Sequence, residues 1–170
     1  IASGHNKPQK GTVICIPLLN VFGFLNQKRE FPDGRDLNRV FPGSDKGSLA
    51  SRFAYHLMSK VIPKVDYCID YHTGGAQRFN YSQLRIDDND EEILKLAKVF
   101  GTPFIVYSKS KEKTFRKSMV DLGKKMLLFE GGKSLSLDKN VTKSGIQGAI
   151  NIMHHLGMRD FSSKISKPNL

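Results

Sequence analysis

Short continuous apolar runs alternate along this chain with stretches whose apolar residues recur at helical intervals, and that alternation predicts strands interleaved with helices. Gly11 to Leu19 reads as a strand. Asn20 to Ser48, rich in Gly, Pro, Asn and Asp, reads as a long loop of the kind that binds something. Leu49 to Val61 has helical spacing, with Ser48 as its N-cap and Pro63 ending it. Asp66 to Tyr71 is a strand and His72 to Asp88 a loop. Asn89 or Asp90 caps a helix through Phe100 whose apolar face is Ile93, Leu94, Leu96, Ala97 and Phe100, and Gly101 stops it. Pro103 to Tyr107 is a short strand and Thr114 to Leu122 a helix. Lys125 to Glu130 is a buried strand ending in Gly131-Gly132, and Asp138 to Leu156 a final helix stopped by Gly157.

This order predicts an α/β fold with a mostly parallel mixed sheet and helices on both faces. About four strands is few for such a sheet, and only ten residues precede Gly11. The expectation is therefore one domain over residues 1–158 whose N-terminal part is missing, followed by a tail over 159–170 that frays from Arg159.

Composition narrows the classes. At 170 residues with 39% apolar content, the chain can bury a core without staples. It has no apolar run of about 18 residues, so no membrane partner is expected. Cys15 and Cys68 lie inside apolar strand-like runs, where a thiol behaves as a small buried hydrophobe; this fits a reducing, cytoplasmic location. The chain opens at Ile1, and no leader can be read. The net charge is +11, but the 27 basic residues are spread from Lys7 to Lys167 and form no stripe. Nucleic acid is therefore not the expected partner, whereas a positive field would draw in an anionic substrate.

Three constellations fall where an α/β sheet places its site, past the carboxyl ends of strands. They are Asp36-Leu37-Asn38-Arg39, Asp70-Tyr71-His72-Thr73-Gly74 and Phe129-Glu130-Gly131-Gly132. Asn38 and Arg39 offer a planar amide and a guanidinium fork suited to a carboxylate, though a surface arginine beside a turn asparagine would look the same. His72 emerges at a strand end with ligand geometry, and a structural histidine would also sit there. Asp70, on the same face of the strand, could orient the ring. Glu130 ends a strand apolar enough to be buried, so it requires either a partner or a catalytic task. His56, His154 and His155 read as helix residues, and Asp33-Gly34 as an ordinary turn. No HExxH, CxxC, phosphate-binding glycine loop or GxSxG occurs, which removes serine hydrolase and nucleotide readings.

In order, NxxGFLNxxREFPDGRDLNRVFPG, a helix, DYHTG, an arginine in a helix and FEGG make a specific series from about Gly11 to Met158. In this series the chain resembles the succinylglutamate desuccinylase/aspartoacylase family, kin of the zinc carboxypeptidases. The resemblance implies a zinc cofactor with His72 as one ligand and Glu130 as the general base. It also implies that Asn38 and Arg39 clamp the carboxylate of a small-molecule substrate, that Arg29 polarises the scissile carbonyl, and that Arg116 is a second substrate-binding arginine. The chain departs from the family in one respect: the His-x-x-Glu segment supplying the other two zinc ligands is absent, since His5 has Pro8 three residues on. What the resemblance implies is a zinc-dependent deacylase of N-acyl amino acids or similar carboxylates. The alternatives are a metallocarboxypeptidase acting on peptides, or a catalytically incomplete fragment serving as a structural or binding module. Homo-oligomerisation is left open. Leu37 to Arg39, His72 and Glu130 are expected to converge at one edge of the sheet.

Overall fold

The computed structural model describes residues 4, 6–76, 78–87 and 90–161. Its strands are β1 (Tyr67–Gly74), β2 (Asn80–Ile86), β3 (Phe104–Tyr107) and β4 (Lys125–Lys133), in the sheet order β1-β4-β2-β3. β2 pairs with β3 in parallel and with β4 antiparallel. β1 and β4 run parallel, because Lys125 N–H bonds to Asp66 O at their starts and Ser134 N–H to Gly74 O at their ends. The sheet is thus mixed and mostly parallel, as expected.

The helices are α1 (Val21–Asn26), α2 (Leu49–His56), α3 (Glu91–Phe100), α4 (Phe115–Asp121) and α5 (Lys139–His155). Side chains hold their first turns. Ser48 Oγ accepts from Ser51 N–H, Asp90 Oδ1 from Ile93 N–H, and Asp138 Oδ1 from the N–H groups of Asn140 and Val141. Gly101, at φ 85°, closes α3 in the left-handed region that glycine tolerates. The Asn89 alternative for this cap lies outside the described residues.

The chain divides into two compact units, Ile1–Cys15 with Ile69–Lys109 and Leu127–Leu170, and Ile16–Cys68 with Ser110–Met126. In the first unit, Leu84, Ile86, Leu127 and Phe129 of the sheet are buried with Ile93, Leu96, Ala97 and Phe100 of α3 and Ile152 of α5. This is the amphipathic face predicted for α3. α5 carries a buried Asn151, whose Nδ2 donates to Phe100 O and so satisfies a carbonyl at the end of α3. Tyr71 is tilted against Phe129 and donates its hydroxyl to Gly145 O at 3.0 Å. Although half its surface meets solvent, burial and then repulsion from a negative charge on the Cys15 sulfur push its pKa up to about 12. The second unit packs Phe31 against Phe22 and Phe53, and Phe41 against Phe115.

Several expectations are corrected. Gly11 to Leu19 is not a strand: Val13, Ile14, Ile16 and Leu18 are 38–48% exposed and Cys15 is exposed too. An apolar run becomes a strand only when a neighbour supplies the ladder, and among the described residues none pairs with this run. The stretch read as a loop from Asn20 holds α1, capped by Asn20, and a 3-10 turn over Leu37–Arg39. The stretch read as a loop from His72 holds the end of β1 and all of β2, and β4 runs on through both glycines. α2 passes into a wide turn over Leu57–Val61 and a 3-10 turn over Ile62–Lys64, so Pro63 lies within the last turn. Arg159 to Phe161 is held in place. Arg159 donates to Lys7 O, Phe161 is 2% exposed, and Phe161 N–H donates to His154 Nδ1. The rest of the expected tail lies outside the described residues.

Candidate active site

In the first unit the site is built by strand alternation. Leu84 pairs with Phe129 and Gln83 with Glu130 across β2 and β4. Leu84 and Phe129 are core residues, so Gln83, Arg85 and Glu130 point to the opposite face. In β1, Ile69 and Tyr71 pack toward the core face, which sends Asp70 and His72 to the same face as Glu130. Had His72 and Glu130 pointed to opposite sides of the sheet, no single site could have used both.

Asp70 Oδ2 lies 2.8 Å from His72 Nε2, with the side chains 18% and 29% exposed. A carboxylate on one ring nitrogen fixes the ring and directs the other nitrogen, Nδ1, as the ligating atom. His72 therefore fits one ligand position of a metal. Among the described residues no three His, Cys, Asp or Glu side chains come together as a metal site. Glu130, 14% exposed, has its Oε2 2.6 Å from Arg85 Nε. Both atoms are buried, yet the angle is not that of a hydrogen bond, so the pair is an ionic contact. Arg85 escaped the sequence reading because β2 did. The signal that could have found it is a lone cation between Leu84 and Ile86, two alternating buried positions whose strand must present residue 85 on the other face.

In the second unit the loop before α2 is internally braced. Asp36 caps the 3-10 turn, its Oδ1 accepting from Asn38 N–H at 2.9 Å, while its Oδ2 takes Arg29 Nε at 2.8 Å. Arg29, not Arg39, is thus the partner of Asp36. Asn38 Oδ1 accepts from Phe115 N–H at 2.9 Å, tying the loop to the first residue of α4, where half-buried Arg116 follows. Arg39 is exposed and donates from Nη1 to Asn38 O at 2.6 Å. Asp33, read as an ordinary turn residue, accepts from Ala50 N–H at 2.8 Å and Arg35 N–H at 3.1 Å. It therefore supplies a second acceptor at the start of α2.

Sequence and structure comparisons bear on this geometry. A profile of the succinylglutamate desuccinylase/aspartoacylase catalytic domain matches residues 2–156. The chain is 30% identical over 161 residues to N-alpha-acetyl-L-2,4-diaminobutyric acid deacetylase of Halomonas elongata, covering 88% of this chain and 46% of that protein. It is similar to a succinylglutamate desuccinylase/aspartoacylase structure from Rhodobacter sphaeroides, with a TM-score of 0.79 and 26% identity over 90% of this chain and 46% of that one. A more distant likeness, to murein-tripeptide amidase MpaA of Escherichia coli O157, has a TM-score of 0.51 at 15% identity over 84% of this chain and 65% of that one, and concerns the fold alone. The chain spans about half the length of the curated relative it matches.

Proposed function

The chain belongs to the succinylglutamate desuccinylase/aspartoacylase family, and from that premise we propose that its protein is a zinc-dependent hydrolase cleaving the amide bond of an N-acyl amino acid or a similar small carboxylate. The observation that carries the reading is the shared face of the sheet, where the Asp70–His72 pair and Glu130 stand on neighbouring strands. The deacetylase activity named for the Halomonas relative supports the substrate class.

Each residue has a task in this reading. His72, fixed by Asp70, is one ligand of a zinc ion, which supplies Lewis acidity toward water and carbonyl oxygen when bound. Glu130 takes a proton from the attacking water and passes it to the leaving nitrogen. Arg29, held through Nε by Asp36, stabilises charge developing on the scissile carbonyl oxygen. Asn38 and Arg39 bind the substrate carboxylate, and Arg116 adds a second cation to substrate binding.

Glu130→Gln in the complete protein tests the reading, because the amide is nearly isosteric with the carboxylate and cannot take the proton. Metal content should stay at the wild-type level by elemental analysis, while kcat falls by about 10²- to 10⁴-fold. Near-normal turnover would place the base elsewhere.

A further inference from the structure

Arg85 has no part in the reading above, yet its guanidinium is in ionic contact with Glu130. β2 is antiparallel to β4, and register sets Gln83 directly opposite Glu130 and Arg85 opposite Leu128. Arg85 and Glu130 are therefore diagonal neighbours on one face, roughly 7–8 Å apart in backbone terms, a gap that long side chains bridge. They bridge it at 2.6 Å, with the Glu130 side chain 14% exposed and the Arg85 side chain 39% exposed. The contacting atoms are buried and their angle is not that of a hydrogen bond, so what draws them together is the attraction of opposite charges.

We propose that Arg85 is a positioning residue for Glu130. The proposal rests on the base role given to Glu130 above. A glutamate on a strand has three side-chain torsions, and a base is useful only when its oxygen is held within hydrogen-bond reach of the water it serves. With Oε2 drawn to Arg85, the carboxylate is held by one oxygen, and Oε1 is the oxygen that works. Arginine suits the task because its charge persists at all working pH values.

The test is a double-variant cycle in the complete, metal-loaded protein. Arg85→Met should lower kcat by about 10- to 100-fold, the scale of loss when a reacting group is displaced by about 1 Å, while KM changes little. In a Glu130→Gln background the same substitution should cost nothing further, because a residue that acts through Glu130 has nothing left to position. Arg85→Lys, which keeps the charge and fills the same space, should recover part of the loss. A second readout does not depend on turnover. Arg85→Met leaves the largely buried Glu130 carboxylate unpaired and Glu130→Gln leaves the partly exposed Arg85 cation unpaired, so the melting losses of the two single variants should sum to more than the loss of the double variant. Wild-type kcat in Arg85→Met, alongside an impaired Glu130→Gln, overturns the positioning role and leaves the proposed function standing. A further kcat loss from Arg85→Met on top of Glu130→Gln, or strictly additive melting shifts, overturns it as well. Unimpaired turnover in Glu130→Gln itself is the distinct result that overturns the base assignment.

Discussion

Asp33 shows how much a single carboxylate can brace. Burial raises its pKa, but the N–H groups of Ala50 and Arg35, the Ser48 hydroxyl and the Arg35 charge outweigh that and leave it lowered. A lowered folded-state pKa means stability that is present above the unfolded value of 3.8 and lost as pH falls through the folded value. Asp33→Ala should cost about 1 kcal/mol in urea unfolding at neutral pH, the scale of a lost helix cap, and the difference from wild type should shrink as the pH is taken below 3.8. Arg39 is a different case, since its guanidinium is exposed and donates to the carbonyl of the preceding residue. If it grips the substrate carboxylate, Arg39→Lys keeps the charge but loses the fork. kcat/KM should then fall by an amount worth about 1.5–3 kcal/mol, roughly 10- to 150-fold. A substrate amidated at that carboxylate should separate the two proteins: wild type loses strongly, the variant much less. Equal losses would remove Arg39 from substrate binding.

Among the elements, α3 and α5 depend on a missing side chain. A Cβ on Gly148 would stand 2.1 Å from Phe100 Cε1, closer than any real contact, and Phe100 is buried at 2% exposure with Phe129 tilted beside it. Gly148→Ala should therefore destabilise the protein by about 1–3 kcal/mol through overpacking, despite alanine's better helix propensity; a melting temperature equal to or above wild type would contradict this packing. Elements of this kind were legible in the sequence wherever periodicity and caps agreed, as at α3 with Asp90, Ile93, Leu96 and Gly101. They were not legible where burial depended on partners far along the chain. β2 reads Asn-Tyr-Ser-Gln-Leu-Arg-Ile, and its buried positions Ser82, Leu84 and Ile86 include only two apolar residues. Gly11 to Leu19 fails in the opposite sense, being apolar enough for a strand but without a ladder. His72, Glu130, Asn38 and Arg39 could be singled out from residue type and place, whereas Arg85 and the Arg29–Asp36 pairing required the register and the turn geometry.

At the largest scale, this chain carries a net charge of +11, with basic residues spread along the sequence from Lys7 to Lys167. Such a field should draw in a substrate bearing a carboxylate, and the attraction is screened over a Debye length of about 10 Å at 0.1 M salt. Raising ionic strength from about 0.01 to 0.5 M should weaken binding of an anionic N-acyl amino acid more than that of its neutral amide; identical salt dependence for the two would remove the field from the account. The two compact units have a consequence in time rather than space. Each is assembled from separated segments, so neither can be completed while the ribosome has delivered only the first half of the chain. The strand bearing His72 has β4 as a neighbour in the sheet, and among the described strands β4 comes last along the chain. Among the described strands, β2 and β3 can pair before β4 exists, and a nascent chain arrested before Lys125 should leave the β4-facing edge of β1 without that partner and open to chaperones or to other arrested chains.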